Sequence, residues 1–137
     1  FERYCWRHLN DYGQLITGHN KQHVLHMCGH LKALLPCIDK LPAVVIEAYT
    51  TPPVGNSTLA DREVLCPNTA VIGGTNATLW LKPVGEICAE IEQALDEVGT
   101  LRGLVLTSAG EMPRLVPLER IREVRQFAYS LVPSRWR

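Results

Sequence analysis

The sequence has no surplus of charge, since its 14 Lys and Arg residues are balanced by 14 Asp and Glu residues. A basic surplus is typical of proteins that bind nucleic acid or an anionic membrane, where it neutralises phosphate groups. We therefore expect neither nucleic acid nor a membrane among the partners of this chain.

Long apolar runs and a regular set of cysteines are also missing. The longest apolar runs, such as 43–46, are far shorter than the roughly 20 residues that cross a bilayer, and the chain opens without a signal-peptide pattern. The cysteines stand at positions 5, 28, 37, 66 and 88, an odd number at irregular spacing, unlike a disulfide scaffold. We expect a cytoplasmic protein with free thiols, in which Cys5, Cys37 and Cys88 are small core residues.

The length and the first residues limit the domain organisation. The 137 residues suit one compact domain, and a hydrophobic fraction of 46% is ordinary for a globular protein. The chain begins with Phe1 rather than Met, and residues 1–19 look like the interior of a longer polypeptide. We expect residues 1–137 to form a single partial domain, as a fragment or a processed product.

Short apolar segments predict strands at 22–28, 43–49, 70–74 and 104–106. Helical patterns separate and flank them, at 2–19, 31–40, 59–65, 83–98 and 117–131. Strands that alternate with helices predict parallel βα units in an α/β fold. Four units are half of the eight in a closed (β/α)8 TIM barrel, so periodicity leaves two alternatives, a half-barrel and an open four-stranded sheet.

Residues with metal-binding side chains stand where two of the predicted strands end. His26 and Cys28 lie two apart on the first strand and so share a face, where an imidazole and a thiolate form half of a zinc site. Glu47 lies near the end of the second strand and is costly to bury unless it is paired or bound to a cation. The three residues predict a metal site at this edge, with ordinary packing or a hydrogen-bonded histidine as the alternative. His19 and His23 precede the edge and are interpreted as surface or capping residues.

Other candidate residues follow the same edge. Gly73 and Gly74 close the third strand, where glycines let the backbone approach a ligand, and Asn76 stands just beyond them. We predict that these three residues and His30 bind substrate, with a tight turn or a helix start as the alternative. Glu111 lies in the loop after the fourth strand and is a candidate catalytic residue, either as a base or as a ligand, with a solvated loop acid as its alternative.

The order of these motifs resembles the uroporphyrinogen decarboxylase superfamily. Residues 25–30 read Leu-His-Met-Cys-Gly-His, which is similar to the His-x-Cys-Gly segment on a strand of that superfamily. The Ile-Gly-Gly of 72–74, the Met-Pro of 112–113 and the helix start at 117–119 follow in the same order. The resemblance covers nearly the whole chain and implies the C-terminal half of a longer (β/α)8 barrel.

The resemblance also implies a metal and a cofactor. In the methylcobalamin:thiol methyltransferases of this superfamily, the His and Cys of the motif bind zinc and activate a thiol, which implies Zn2+ on His26 and Cys28. The cobalamin-independent methionine synthases are similar and add a Glu on the following strand, which matches Glu47. Methylcobalamin would be the methyl donor or acceptor, held by a corrinoid protein as partner, and a small thiol would be the substrate.

Two positions depart from the superfamily pattern. The methyltransferases have a further Cys in the loop after the last strand, and it aligns near Gly110, where Glu111 is the nearest substitute. The decarboxylases have a His in this loop, and it aligns near Ala109. Its absence argues against porphyrinogen decarboxylation.

The predicted function is that of a zinc-dependent methyltransferase that moves a methyl group between a corrinoid and a thiol or similar acceptor. One alternative is a decarboxylase-like lyase, which needs no metal. Another is a non-catalytic half-barrel, which exposes sheet edges and is expected to form a homodimer or to pair with its missing N-terminal half.

Overall fold

The computed structural model describes residues 1–42 and 44–135, which form an α/β fold. The strands are β1 (His23–His26), β2 (Val44–Thr50), β3 (Ala70–Thr75) and β4 (Leu104–Leu106). The α-helices are α1 (Arg7–Gly18), α2 (Leu35–Ile38), α3 (Leu59–Leu65), α4 (Val84–Asp96) and α5 (Leu118–Arg135). A π-helical segment, Glu2–Trp6, leads into α1, and the 3-10 turns Lys32–Leu34 and Leu79–Leu81 precede α2 and α4.

The strands form one parallel sheet in the order β1-β2-β3-β4, so each strand pairs with the next one in the chain. Right-handed crossovers that always advance in one direction place their helices on the same face of a sheet. The helix contacts agree with this arrangement, since α2 contacts α3, α3 contacts α4, and α4 contacts α5. The prediction of four parallel strands alternating with helices is confirmed.

The hydrophobic core lies between the sheet and this layer of helices. Ile46 of β2 and Val71 of β3 are fully buried in it. Helix α4 contributes Ile87 and Ile91, one turn apart on a single face, to the same cluster. The side chains of the strands alternate in direction, so every second strand residue packs against the helices.

The opposite face of the sheet is open in the described part of the chain. Val24 of β1 and Val105 of β4 are 49% and 55% exposed. The residues between them on this face are only half-buried. The strand register arranges the side chains of this open face in two rows that cross the sheet. One row consists of Val24, Val45 and Ala70, and the other of His26, Glu47, Ile72 and Val105.

A bulge interrupts β2 directly after Glu47. Ala48 has a φ of +63°, and the register with β3 shifts between Glu47 and Tyr49. Bulges bend a strand and change the direction of the side chains that follow. As a result, Ala48 and Tyr49 are both fully buried, although they are consecutive residues.

The structure corrects the interpretation of His23 and confirms that of His19. His23 is only 3% exposed, because the alternation along β1 turns it toward the helices, where it lies against Gly13 of α1. Interpreting it as a surface or capping residue was therefore wrong. His19 follows α1, and its ring nitrogen lies 3.0 Å from the carbonyl oxygen of Leu15, as a capping residue should.

The cysteines and two element boundaries also differ in part from the predictions. All five cysteines are free thiols, and Cys5, which was predicted to lie in the core, is exposed on the N-terminal segment. Cys37 and Cys88 are half-buried, and Cys88 packs against the core. Helix α5 continues to Arg135 instead of ending at residue 131. Ala43, the predicted first residue of the second strand, lies outside the described residues.

Candidate functional site

His26 and Glu47 face each other at the carboxyl end of the sheet. They are register partners on β1 and β2, and His26 Nδ1 lies 2.5 Å from Glu47 Oε2. Both side chains reach solvent on the open face, with exposed fractions of 68% and 37%. Such an exposed pair contributes little to stability. The structure therefore brings together two of the three predicted metal ligands at a position that is open to a ligand.

Cys28 lies close to this pair in sequence and is not joined to it. Its thiol is free and exposed. In residues 1–42 and 44–135, no group of three His, Cys, Asp or Glu side chains is arranged to hold a metal ion. The reason is local, since β1 ends at His26 and the chain turns at Gly29, where φ is +81°. The alternation that would place Cys28 beside His26 stops before it reaches Cys28.

A second cysteine, between α3 and the start of β3, is buried at the opposite edge of the sheet. Cys66 follows α3 and has no exposed surface. Burial raises its pKa to about 11, so it stays a neutral thiol near pH 7. An exposed thiol meets a metal or a substrate far more easily than a buried one, so Cys28 is the chemically available cysteine at the carboxyl edge. His30, predicted to bind substrate, is also exposed, just past the turn at Gly29.

Gly73 and Gly74 lie near the end of β3, where Gly73 lies against Tyr49 at the bulge of β2 and Gly74 lies against the side chains of Leu59 and Leu106. Gly73 has a φ of +149°, and a Cβ there would lie 2.4 Å from the carbonyl oxygen of Tyr49. The tight contact therefore requires glycine. The Tyr49 hydroxyl donates to the carbonyl oxygen of Thr58 at 2.8 Å, and burial raises its pKa, so it stays protonated. The glycines thus have a packing role, and their contact with substrate stays a prediction.

Asn76 is buried in the structure, with a relative exposure of 1%. Its Nδ2 donates to the carbonyl oxygen of Pro52 at 2.8 Å. Its Oδ1 accepts hydrogen bonds from the Thr78 hydroxyl at 2.7 Å and from the Leu79 N–H at 2.9 Å. The side chain is therefore occupied in joining the loops after β2 and β3, and its contact with substrate stays a prediction.

The loop after β4 lies across the ends of the neighbouring strands. The Thr75 hydroxyl of β3 donates to the carbonyl oxygen of Thr107 at 2.6 Å. The Thr50 hydroxyl of β2 lies 3.3 Å from the carbonyl oxygen of Ala109, which is buried and has a φ of +51°. Glu111 follows this anchored segment and is exposed. The structure does not group Glu111 with His26 and Glu47.

No local pattern indicated that Thr50 and Thr75 anchor this loop. Their loop partners are 59 and 32 residues away in the chain. A threonine at the end of a strand is common because β-branched residues favour strands. Both threonines come directly after predicted strands, which placed them at the carboxyl edge without indicating a partner.

Comparisons with known proteins leave the function to be argued from the site. No family model, curated protein or solved structure matches the chain. Among the described residues, no helix is long and apolar enough to span a membrane. The chemistry at the edge of the sheet, together with the His-x-Cys-Gly motif, therefore carries the functional argument.

Proposed function

We propose that the chain is the metal-binding part of a zinc-dependent methyltransferase, which moves a methyl group between a corrinoid and a thiol. The observation that carries this proposal is the contact between His26 and Glu47 at the open carboxyl edge, with Cys28 two residues farther along. We also propose the cytoplasm as its compartment, because reducing conditions keep thiols such as Cys28 free.

We further propose that the sheet is half of an eight-stranded barrel. Parallel sheets are almost always covered on both faces, whereas the described part of this sheet is covered on one. In a (β/α)8 barrel the strands follow chain order, the helices lie outside, and rows of side chains fill the interior. The order β1-β2-β3-β4 and the two rows of the open face support this arrangement.

The donor atoms of His26, Cys28 and Glu47 suit zinc. Imidazole nitrogen, thiolate sulfur and carboxylate oxygen are its usual ligands, and a catalytic zinc site has three protein ligands and one open position. Two of these three side chains are already in contact, and the third is exposed on the adjoining turn. Zinc bound here would lower the pKa of a thiol substrate, which could then accept a methyl group at neutral pH.

The contact between His26 and Glu47 also suits a second role for Glu47. Metal-binding histidines commonly donate their other ring N–H to a carboxylate, which fixes the orientation of the ring. His26 uses Nδ1 toward Glu47, which leaves Nε2 for a metal. In this role Glu47 orients the imidazole, and the metal keeps His26 and Cys28 as ligands from this chain.

A metal-free lyase is the second candidate, and one observation favours it. The carboxylate and imidazole of Glu47 and His26 contact each other directly, with Cys28 outside the pair. A histidine that is hydrogen-bonded to a carboxylate can transfer a proton to or from a substrate without a metal. This candidate predicts that Cys28 is dispensable.

Zinc content tests the proposal directly. The chain is purified without a metal-affinity tag, zinc is measured by mass spectrometry, and zinc affinity is measured by competition with a chelating dye. Cys28→Ser and Glu47→Gln are the test variants. Cys5→Ser and Glu92→Gln are matched controls at exposed positions in the N-terminal segment and in α4.

The expected result is about one zinc ion per chain, lost in Cys28→Ser and kept in both controls. Complete loss in Glu47→Gln identifies Glu47 as a ligand, whereas roughly 10–100-fold weaker binding identifies it as the residue that orients His26. Wild-type chain that is folded by circular dichroism and still binds no zinc would overturn the methyltransferase proposal and favour the lyase.

A further inference from the structure

We propose that the free edge of β4 and the cleft beside it are the docking surface for a β/α unit that begins and ends with a strand. The inference rests on the proposed half-barrel and names the kind of unit that completes it. Four observations carry it: the surface area of the chain, the free edge of β4, the apolar cleft and the positions of the outermost helices.

The accessible surface area of the chain is larger than that expected for a folded monomer of the same mass. The accessible surface is 8408 Å², whereas a folded monomer of 15.3 kDa exposes roughly 7,100 Å². The excess of roughly 1,300 Å² is larger than the about 800 Å² that each partner buries in a standard stable interface. The chain therefore has enough surplus surface for a permanent partner.

The edge of β4 directs hydrogen-bonding groups away from the sheet. On the inner side, the Thr107 N–H donates to Gly73 at 2.9 Å, and the Gly103 carbonyl accepts from Val71 at 2.8 Å. The N–H and C=O of one residue in a parallel strand point to the same side, and the side alternates along the strand. Leu106 therefore directs both groups outward, where another parallel strand could pair with them.

An apolar cleft of about 500 Å³ adjoins this edge, between β4, α4 and α5. Helix α5 contacts α4 and leaves the cleft between itself and β4. Its lining is mainly apolar and includes Leu104, Leu106, Met112, Ile121, Val124 and Ala128. A strand placed beside β4 would direct every second side chain into this cleft, beneath α5. An edge and a cleft in this arrangement fit a strand better than a helix.

The outermost helices decide which kind of partner fits. Helix α1 covers the helix side of β1, where Gly13 lies against His23 and Pro42. Helix α5 lies beyond β4 and buries Val124 in the core. Both outer positions of the helix layer are therefore already filled in the described part of the chain.

A second copy of this chain would place two helices at each junction. Pairing β4 with β1 of another copy brings α5 against the α1 of that copy, and the same crowding recurs at the other junction. The result is ten helices for the eight positions of a (β/α)8 barrel. A unit of four strands and three connecting helices instead adds a strand, and no helix, at each edge of the sheet. Its three helices and the five helices of this chain then fill the eight positions.

The partner also needs an apolar inner face. It must cover the open face of this sheet, where Val24, Val45, Ile72 and Val105 are exposed or half-buried. Its terminal strand needs large apolar side chains for the cleft, because the cost of leaving such a cleft in water scales with its apolar area.

Binding of two matched half-barrels tests the inference. The first probe is the N-terminal half of a (β/α)8 protein of the superfamily that the motifs resemble, ending at its fourth strand. The second probe is the same half extended through its next helix, which would compete with α1. Affinity is measured by titration calorimetry, and the mass of the complex by light scattering. Val105→Lys is the test variant, and Val64→Lys, at a 78% exposed position on α3, is its matched control.

The expected result is a 1:1 complex with the strand-ended probe, at least tenfold tighter than with the helix-ended probe, lost in Val105→Lys and kept in Val64→Lys. Equal affinity for the two probes, or no complex with either, overturns the inference. A stable dimer of the chain alone overturns it in favour of a second copy. Zinc is measured on the isolated chain, so failure of docking and failure of the metal site are distinguishable.

Discussion

Gly13 of α1 lies directly against His23 of β1, and a Cβ on Gly13 would stand 2.9 Å from the His23 ring nitrogen Nδ1. His23 is buried, and Nδ1 has no hydrogen-bond partner among the described residues. A helix that approaches a strand this closely tolerates no side chain at the point of contact.

Gly13→Ala is expected to destabilise the protein, although alanine is the better helix former. The new methyl group meets His23 and also Pro42, 3.1 Å away. Overpacking of this kind costs about 1–3 kcal/mol, which exceeds the gain of about 0.5–1 kcal/mol from helix propensity. Urea unfolding gives the change. Gly18→Ala is the control, since no atom lies within 4 Å of its Cβ, and it should lose no stability. Equal stability of the two variants would contradict the tight contact.

Stability is expected to fall in weak acid because of His23. Burial lowers its pKa from 6.5, so the unfolded chain binds the proton first as the pH falls. The contribution of His23 to the free energy of unfolding is complete above pH 6.5 and decreases below it, until the folded state binds the proton as well. Urea unfolding near pH 7 and near pH 5 should show a smaller loss in His23→Leu than in wild type. His30→Asn, at an exposed position, should keep the wild-type loss; an unchanged loss in His23→Leu would assign it to other groups.

Asn76→Ala is expected to destabilise the protein by about 1–3 kcal/mol, because buried partners such as the Leu79 N–H lose their hydrogen bonds. The measurement is thermal or urea unfolding. Asn10→Ala in α1 is the control, and it should be neutral or slightly stabilising because alanine favours helices. A stable Asn76→Ala variant that loses only ligand binding would instead support the prediction that Asn76 contacts substrate.

Gly73→Ala is expected to cost more than about 2 kcal/mol, since backbone strain and overpacking each cost about 1–3 kcal/mol. The physical reasons are the φ of +149° and the 2.4 Å approach to the Tyr49 carbonyl oxygen. Gly85→Ala in α4 meets no atom within 4 Å and serves as the control in the same unfolding experiment. Wild-type stability of Gly73→Ala would show that this contact is looser than the structure indicates.

Glu111→Gln is expected to leave the zinc content unchanged. Glu111 is exposed in the loop after β4, two strands away from Glu47 in the sheet, and it has no contact with His26 or Glu47 that would make it a third ligand. The measurement is zinc content by mass spectrometry, beside Cys28→Ser as the variant that should lose the metal. Loss of zinc in Glu111→Gln would make Glu111 a ligand, as a substitute for the cysteine that the superfamily pattern has near Gly110.

Local sequence patterns predicted the α/β fold and the alternation of parallel strands with helices. The run 43–49 is apolar except for Glu47, which is typical of strands in the middle of a parallel sheet. The helical period of residues such as Ile87, Ile91 and Leu95 predicted α4 nearly to its ends. These features depend on neighbours close in the chain, so local patterns were sufficient.

The same local reasoning predicted that His26 and Glu47 would be neighbours, because the carboxyl ends of consecutive parallel strands meet at one edge. It placed Cys28 with them by extending the strand alternation two residues too far. It also interpreted His23 as a surface or capping residue from its position ahead of the carboxyl edge, because the strand pattern did not indicate which face packs against helices.

The positions of residues with distant partners came from tertiary packing instead. The burial of His23 depends on α1, the role of Asn76 on the loop after β2, and the position of the β4 loop on Thr50. The open face and the cleft beside β4 likewise follow from where the sheet ends. Such contacts join residues far apart in the chain, and a sequence pattern reports only the local preferences of the backbone and side chains, so these features had to come from packing.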